Sequence, residues 1–152
     1  MAGGGSERQL ALLAGGESRA GVVVLVALLH PGSNLPMLEK TGACVIRPQA
    51  LGNYDPRIVL RIVRAIREHR IHLVQTWLPQ MDVIGGLAAL WVGVPYIVSE
   101  RSCLLAYPPS VKHALRVTIG RHANAIVANS LGGLDYWRGK NDSPLNRVVR
   151  NV

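Results

Sequence analysis

The chain has 152 residues, a length that suits one domain able to bury a core. Hydrophobic residues make up 49% of the sequence, which excludes intrinsic disorder for most of the chain. The net charge of +8 favours an anionic partner, such as a nucleotide, a phospholipid surface or a nucleic acid, without separating these classes.

The sequence predicts neither a membrane-spanning helix nor a secretory leader. The longest strongly apolar run covers residues 22–29, whereas a spanning helix needs about 20 apolar residues. The first residues lack a basic region followed by an apolar one. The two cysteines, Cys44 and Cys103, have no metal or redox spacing. We therefore expect a cytoplasmic protein in which both are reduced, buried thiols.

In the first third of the chain, apolar runs alternate with segments of helical periodicity. A triple glycine, Gly3-Gly4-Gly5, precedes a helix that Ser6 caps and that runs to about residue 14. Residues 22–29 are continuously apolar and begin with β-branched side chains, which is typical of a strand buried on both faces. A short helix over 36–40 and a strand over 43–47 follow.

The same alternation continues to the end of the chain. Asp55 and Pro56 predict an N-cap and the start of a helix that runs to about residue 69. The patterns then predict strands over 71–77, 95–99 and 124–128, helices over 82–92, 111–120 and 131–137 (the last capped by Ser130), an exposed turn over 139–144, and the beginning of one more element over 147–150. The alternation predicts an α/β fold, namely a Rossmann-like parallel sheet with helices on both faces.

Ligands of open parallel sheets bind at the carboxyl ends of the strands, so the residues that follow each strand are the candidates. The triple glycine lets backbone N–H groups approach a phosphate or sugar, and the helix after it favours negative charge. The alternative interpretation is a flexible N-terminal tail. The segment does not match the dinucleotide fingerprint G-x-G-x-x-G.

Polar residues follow two neighbouring predicted strands. Glu100 and Arg101 place a carboxylate beside a guanidinium, a pair that can bind sugar hydroxyls or a phosphate, or can form a plain surface ion pair. Asn129 and Ser130 follow the next strand and suit a helix cap, although Asn129 can also face a ligand. Trp77 suits stacking on a sugar ring and core packing equally. No pattern identifies a catalytic residue, a metal site or a cofactor.

Five arginines recur along and just beyond the helix predicted near residue 60: Arg57, Arg61, Arg64, Arg67 and Arg70. They suit a solvated helix face, with contact to anionic lipid as the second interpretation. Nucleic-acid binding is disfavoured, because aromatic residues are only 5% of the chain and offer no platform for stacking bases.

The chain resembles the N-terminal domain of retaining glycosyltransferases of the family 4-like group in four segments that keep the family's order: GGGSERQLALLA, LVQTWLPQMDVIGGLAALWVGVPYIVSERS, YPPSVKHALRVTIGRHANAIVANSLGGLDYW and NRVVRN. Such enzymes have the GT-B architecture, in which two Rossmann-like domains face each other across a cleft. The resemblance covers essentially the whole chain, so residues 1–152 are expected to form one such domain.

The resemblance implies transfer of a sugar of the hexosyl type from a nucleotide-sugar donor to a sugar or lipid-linked acceptor. It implies that the N-terminal domain holds the acceptor, while a C-terminal domain holds the donor nucleotide. The residues themselves, rather than the resemblance, lead to three further expectations: a cytoplasmic location, contact with the inner face of an anionic membrane as the second interpretation of the arginine-rich helix, and no nucleic-acid partner. Seven residues are implied to contact substrate: Gly3, Gly4, Gly5, Glu100, Arg101, Asn129 and Ser130.

Two departures from the family pattern shape our expectations. The strand that normally precedes the glycine loop and the entire donor-binding domain lie outside the 152 residues. We therefore expect a segment truncated at both ends, a gap or rearrangement in the sheet, and no sugar transfer by this chain alone. The alternatives are a non-catalytic α/β module that binds an anionic glycan, a lipid headgroup or a partner protein, and a Rossmann-like nucleotide binder of another kind.

Overall fold

The computed structural model describes residues 5–30, 32–48, 52, 55–102, 107 and 109–151. The helices are α1 (Gly5–Arg19), α2 (Leu35–Glu39), α3 (Arg57–Glu68), α4 (Pro79–Val92), α5 (Val111–Gly120) and α6 (Leu131–Trp137). The strands are β1 (Leu25–Ala27), β2 (Cys44–Ile46), β3 (Val74–Trp77), β4 (Tyr96–Glu100), β5 (Ala125–Ala128) and β6 (Arg147–Val148). The predicted α/β class is confirmed, with parallel strands flanked by helices.

The described strands form two parallel sheets rather than one continuous ladder. Strands β1 and β2 pair with each other, and the second sheet has the order β3-β4-β5-β6. The chain divides into two compact units, Met1–Ile58 together with Val152, and Val59–Asn151.

In the first unit, helix α1 is longer than predicted. The backbone N–H of Gly21 donates to Ser18 O, and that of Val22 donates to Glu17 O, which is the hydrogen-bond pattern of a Schellman cap. Gly21 takes the positive φ of 82° that this cap requires. Because the helix already includes Gly5, the prediction that Ser6 is its N-cap is wrong.

The strand predicted over 22–29 is shorter in the structure, where only β1 forms. The reason is that Val22 belongs to the C-terminal cap of α1. Val23 is 86% exposed, whereas Val26 and Leu28 are buried and form a small core with Leu38. Cys44 is exposed on β2, so the prediction that this thiol is buried is wrong. Cys103 lies outside the described residues.

In the second unit the predicted starts of α5 and α6 are confirmed, whereas α4 begins at Pro79 rather than at residue 82. Ser110 Oγ accepts a hydrogen bond from His113 N, and Ser130 Oγ accepts one from Gly133 N. Behind β4 and β5 lies a core that holds Val98, Ile126 and other apolar residues. These caps and this core fix the carboxyl ends of the four parallel strands.

The turn predicted over 139–144 is anchored rather than simply exposed. Asn141 is buried, and its Nδ2 donates to the carbonyl oxygens of Gly120 at 2.9 Å and Ala123 at 2.8 Å. Its side chain thereby joins the last carbonyl group of α5 to a carbonyl group in the segment that leads to β5.

Candidate functional site

The four parallel strands of the second unit end at one edge of the sheet. Trp77 on β3 is in register with Ser99 on β4, and Glu100 is in register with Ala128 on β5. The residues directly after these strand ends therefore gather at the same edge, where ligands of open α/β sheets bind.

Glu100, the last residue of β4, points into the protein and is fully buried. Its Oε1 accepts hydrogen bonds from Ser102 N at 2.9 Å and from the Tyr107 hydroxyl at 2.5 Å. Its Oε2 accepts from Arg116 Nη2 at 2.8 Å and from Trp137 Nε1 at 2.9 Å. Four donors fill the acceptor positions of this carboxylate, so a ligand has no free place on it.

Arg116 joins Glu100 to a second buried carboxylate. Its Nε lies 2.7 Å from Asp82 Oδ2, and all three side chains are at most 1% exposed. Thr76 Oγ1 donates to the other oxygen of Asp82 over 2.7 Å. We call Asp82, Glu100 and Arg116 the buried charge cluster. Its pairs are charge-assisted hydrogen bonds in a region of low dielectric constant.

The buried charge cluster holds two carboxylates and one guanidinium, so it carries a net charge of −1 when fully ionised. Burial raises the pKa of the Asp82 carboxyl to about 6, and the charge of Glu100 acts in the same direction. Arg116 and the Thr76 hydroxyl oppose this shift in part. Burial acts to lower the pKa of Arg116, but its two carboxylate partners hold it above its ordinary value.

Arg101 follows Glu100 and lies at the sheet edge, half-buried. Its guanidinium carbon lies 3.9 Å from the ring centroid of Trp77, and its Nη1 donates to Asn151 Oδ1 over 2.8 Å. Burial lowers the pKa of Arg101, while the charge of Glu100 opposes that shift. Since Trp77 is only 8% exposed, its stacking partner here is Arg101, and its indole has little surface left for a sugar ring.

Neither Glu100 nor Arg101 forms the surface ion pair that was one interpretation of their sequence. The carboxylate of Glu100 pairs with Arg116, and the guanidinium of Arg101 reaches Asn151. The Glu100 side chain therefore interacts with buried groups, whereas the Arg101 side chain interacts with groups at the sheet edge.

Asn129 and Ser130 lie at the same edge after β5. The backbone N–H of Asn129 donates to Glu100 O over 3.0 Å, which extends the β4–β5 pairing. The Asn129 side chain is half-buried. Ser130 is exposed, and its hydroxyl caps α6 through Gly133 N at 3.2 Å.

The turn between β3 and α4 is strained. Leu78 has φ 73° and ψ 148°, a backbone region that residues other than glycine rarely adopt. The following Pro79 accounts for the extended ψ, because a residue before proline is driven out of the helical region. Leu78 directly follows Trp77, the last residue of β3, and it is exposed. The strained residue therefore lies at the sheet edge where Arg101 stacks on Trp77.

Of the predicted glycine loop, Gly3 and Gly4 lie outside the described residues. Gly5 is exposed and begins α1 in the first unit, where a Cβ would meet no atom within 4 Å. Within the described part of the chain, no group of three or more His, Cys, Asp or Glu side chains is arranged to hold a metal ion. None of the described helices is long and apolar enough to cross a membrane.

Sequence reasoning singled out neither Asp82 nor Arg116, and a signal for Arg116 was present. Arg116 precedes Ile119 and Gly120 by three and four residues, so it shares the buried face of α5. A charged side chain at such a position needs a buried partner, but the sequence does not say which of the acidic residues supplies it.

Comparisons with known proteins agree with this architecture. Residues 3–150 match the sequence model of Glycosyltransferase Family 4, which confirms the predicted resemblance. No curated protein gives a significant match.

Solved structures share the fold at low sequence identity. The chain is similar to Anabaena HepE (Alr3699) in complex with UDP, with 21% identity, a TM-score of 0.76, and coverage of 97% of this chain and 41% of that one. For HepE in complex with UDP-glucose, the identity is 22%, the TM-score is 0.77, and the match covers 97% of this chain and 40% of that one. For MurG of Acinetobacter baumannii, the identity is 16%, the TM-score is 0.66, and the match covers 100% of this chain and 44% of that one. The chain thus spans about two fifths of the length of the solved structures it matches.

Proposed function

This chain belongs to glycosyltransferase family 4, and from that premise we propose that it is the acceptor-side half of a retaining glycosyltransferase. The reaction moves a sugar of the hexosyl type from a nucleotide-sugar donor to a sugar or lipid-linked acceptor. The family match over residues 3–150 supports this assignment, as does the concentration of polar groups at the carboxyl edge of the β3–β6 sheet.

The observation that carries the proposal is the fixed guanidinium of Arg101. It is stacked on Trp77 and bonded to Asn151, so it loses little conformational freedom when a ligand binds. A planar, permanently charged group at this edge suits a phosphate or sugar hydroxyls. We propose that Arg101 contacts the acceptor directly.

The other predicted residues differ in whether they contact the ligand directly. Because the Glu100 carboxylate is saturated by four donors, we propose that it acts from beneath the site. The half-buried Asn129 side chain contacts ligand beside Arg101, while Ser130 holds the start of α6. As the resemblance implies, we propose that Gly3, Gly4 and Gly5 also contact substrate.

We propose that these 152 residues alone transfer no sugar. The nucleotide leaves as an anion, and basic groups must stabilise its charge in the transition state. The resemblance assigns most of those groups to a donor-binding domain. We propose that the reaction takes place in the cytoplasm.

Contact with the inner face of an anionic membrane is proposed through α3. Its basic face is partly neutralised, because Arg57 pairs with Asp55 and Arg64 pairs with Glu68. Co-sedimentation with anionic and with neutral vesicles tests this contact. Equal recovery of the protein from both kinds of vesicle would remove the membrane from the proposal.

The main test is ligand-observed NMR on the chain with two panels, one of nucleotide sugars and one of glycosylated polyprenyl phosphates. We expect binding from the acceptor panel that Arg101→Ala abolishes. Arg138→Ala is the matched control, because it removes the same charge from a side chain that is 80% exposed. A radiolabelled nucleotide-sugar assay on the same sample should give no product. Binding that is insensitive to Arg101→Ala, or transfer by the isolated chain, would overturn the assignment.

A further inference from the structure

We infer that Glu100 and Tyr107 are positioning residues that fix the direction in which Arg101 presents its guanidinium. The inference concerns the resting protein, and its importance for substrate rests on the proposed function.

The first step is the way Glu100 holds the backbone around Arg101. Its side chain accepts from Ser102 N, while its own carbonyl oxygen accepts from Asn129 N. Arg101 therefore lies between two residues whose backbones are hydrogen-bonded in place. Residues held on both sides have few φ/ψ combinations left, so the starting direction of the Arg101 side chain is set.

The second step is the clamp made by Tyr107. Its hydroxyl donates to the same Glu100 oxygen that accepts from Ser102 N, so one carboxylate oxygen joins both residues. The Tyr107 ring stacks on the His113 ring at a centroid distance of 5.0 Å, and the Arg116 guanidinium lies 4.6 Å from its centroid. His113 and Arg116 on α5 therefore hold the Tyr107 ring in place. The Tyr107 hydroxyl in turn restricts the Glu100 carboxylate through its hydrogen bond.

The third step is the close approach of α6 from the other side. A Cβ on Gly133 would stand 2.9 Å from Ser102 O and 3.1 Å from Glu100 Cγ. The helix therefore limits movement of the backbone after β4, and only a glycine leaves it enough room. Glu100 and α6 therefore confine the backbone on both sides of Arg101.

A purely stabilising role for these contacts gives a different expectation. The rings of Tyr107, His113 and Tyr136 pack against one another. If their contacts only stabilised the fold, loss of either tyrosine hydroxyl would affect Arg101 equally. Tyr136 provides the matched control. Its hydroxyl bonds His113 Nε2 at 2.6 Å and also interacts with Arg116, but it is not one of the four donors to the Glu100 carboxylate. Tyr107→Phe and Tyr136→Phe each remove one hydroxyl and keep the ring.

The experiment observes the arginine Nε–H resonances and amide hydrogen exchange of the ligand-free chain by NMR. Stacking on Trp77 gives Arg101 Nε–H a ring-current shift that the exposed Arg138 lacks. In Tyr107→Phe we expect that resonance to move toward the position of Arg138. We also expect the protection of the Ser102 amide to fall about tenfold, as loss of one hydrogen bond to a charged group implies. Tyr136→Phe should leave both signals unchanged.

Gly133→Ala is the second variant, because it displaces the backbone at Ser102 without altering any charge or hydroxyl group. It should shift the Arg101 resonance as Tyr107→Phe does. An Arg101 resonance that stays in place in both variants, or that moves equally in Tyr136→Phe, would overturn the inference. Since no ligand is present, these results stand apart from the binding test of the proposed function.

Discussion

Gly120, the last residue of α5, lies directly against the Trp137 indole. A Cβ at position 120 would stand 2.3 Å from Cη2 and 2.6 Å from Cζ3 of that ring. The same indole donates its Nε1–H to Glu100 Oε2 over 2.9 Å. The absent side chain of Gly120 thus allows Trp137 to reach the buried charge cluster.

The variant Gly120→Ala should lower the free energy of unfolding by about 1–3 kcal/mol, the usual cost of overpacking a core. Gly16→Ala is the control, because it lies inside α1, where a Cβ would meet no atom within 4 Å. That change should raise stability by up to about 1 kcal/mol through helix propensity. Urea denaturation of both variants measures the contrast, and an equal response would contradict the proposed crowding at Trp137.

Two helices end with a left-handed residue and the same 6→1 backbone hydrogen bond, although the left-handed residue differs. After α3, Ile71 N donates to Ile66 O and Arg70 takes φ 50°, while after α4, Val94 N donates to Ala89 O and Gly93 takes φ 81°. We expect Arg70→Gly to stabilise the protein by about 0.5–1 kcal/mol, because glycine adopts this conformation without a steric cost. Gly93→Ala should do the opposite, and urea denaturation midpoints at constant m-value report both changes.

The sequence was sufficient to predict the parts of the fold that depend on local chemistry. The bounds of α5 and α6 and the cap at Ser130 follow from short-range patterns, and the structure has them where they were predicted. The end of α1 was predicted too early, at about residue 14, just before Gly15 and Gly16. The helix continues past them to the cap at Gly21.

The surroundings of Glu100 could not be predicted in the same way. Its partner Arg116 lies 16 residues away in sequence, and Asp82 lies 34 residues from Arg116. Such pairs are formed by the packing of α4 and α5, which carries no local signal. The sequence located Glu100 at a strand end, but whether it faced solvent or the interior depended on that packing.

Removal of Arg116 should be among the most damaging single changes in the chain. Arg116→Met keeps an apolar stem but leaves Asp82 and Glu100 buried without a countercharge. We expect a loss of about 3–5 kcal/mol of unfolding free energy at pH 8. The loss should be smaller at pH 5, because protonation of a carboxyl group removes the repulsion between the two.

The control for Arg116→Met is Arg64→Met on α3. The Arg64 side chain is 78% exposed and pairs with Glu68 one helical turn away, so its removal should change stability little at either pH. Chemical denaturation of both variants at pH 5 and pH 8 gives the comparison. A loss for Arg116→Met that does not depend on pH would argue that packing, rather than buried charge, sets its cost.

The raised pKa of Asp82 predicts an unusual sign for the pH dependence of stability. Below about pH 4 this carboxyl is protonated in both the folded and the unfolded chain, so it adds no pH dependence. Between about pH 4 and 6 the folded protein keeps a proton that the unfolded chain releases. The free energy of unfolding therefore falls as pH rises through this window, by at most about 3 kcal/mol, and the contribution is constant above it.

Asp82→Asn removes this titration, because asparagine does not titrate, and the carboxyl groups distant from Asp82 cancel in the difference between the two proteins. We expect the stability of the wild-type protein relative to the variant to decline from pH 4 to pH 6 and then to level off. Thr76, Glu100 and Arg116 face Asp82 in the wild type, and only Arg116 supplies positive charge. If that guanidinium outweighed burial, the relative stability would instead rise with pH from about pH 3. Urea denaturation at half-unit pH intervals distinguishes the two signs.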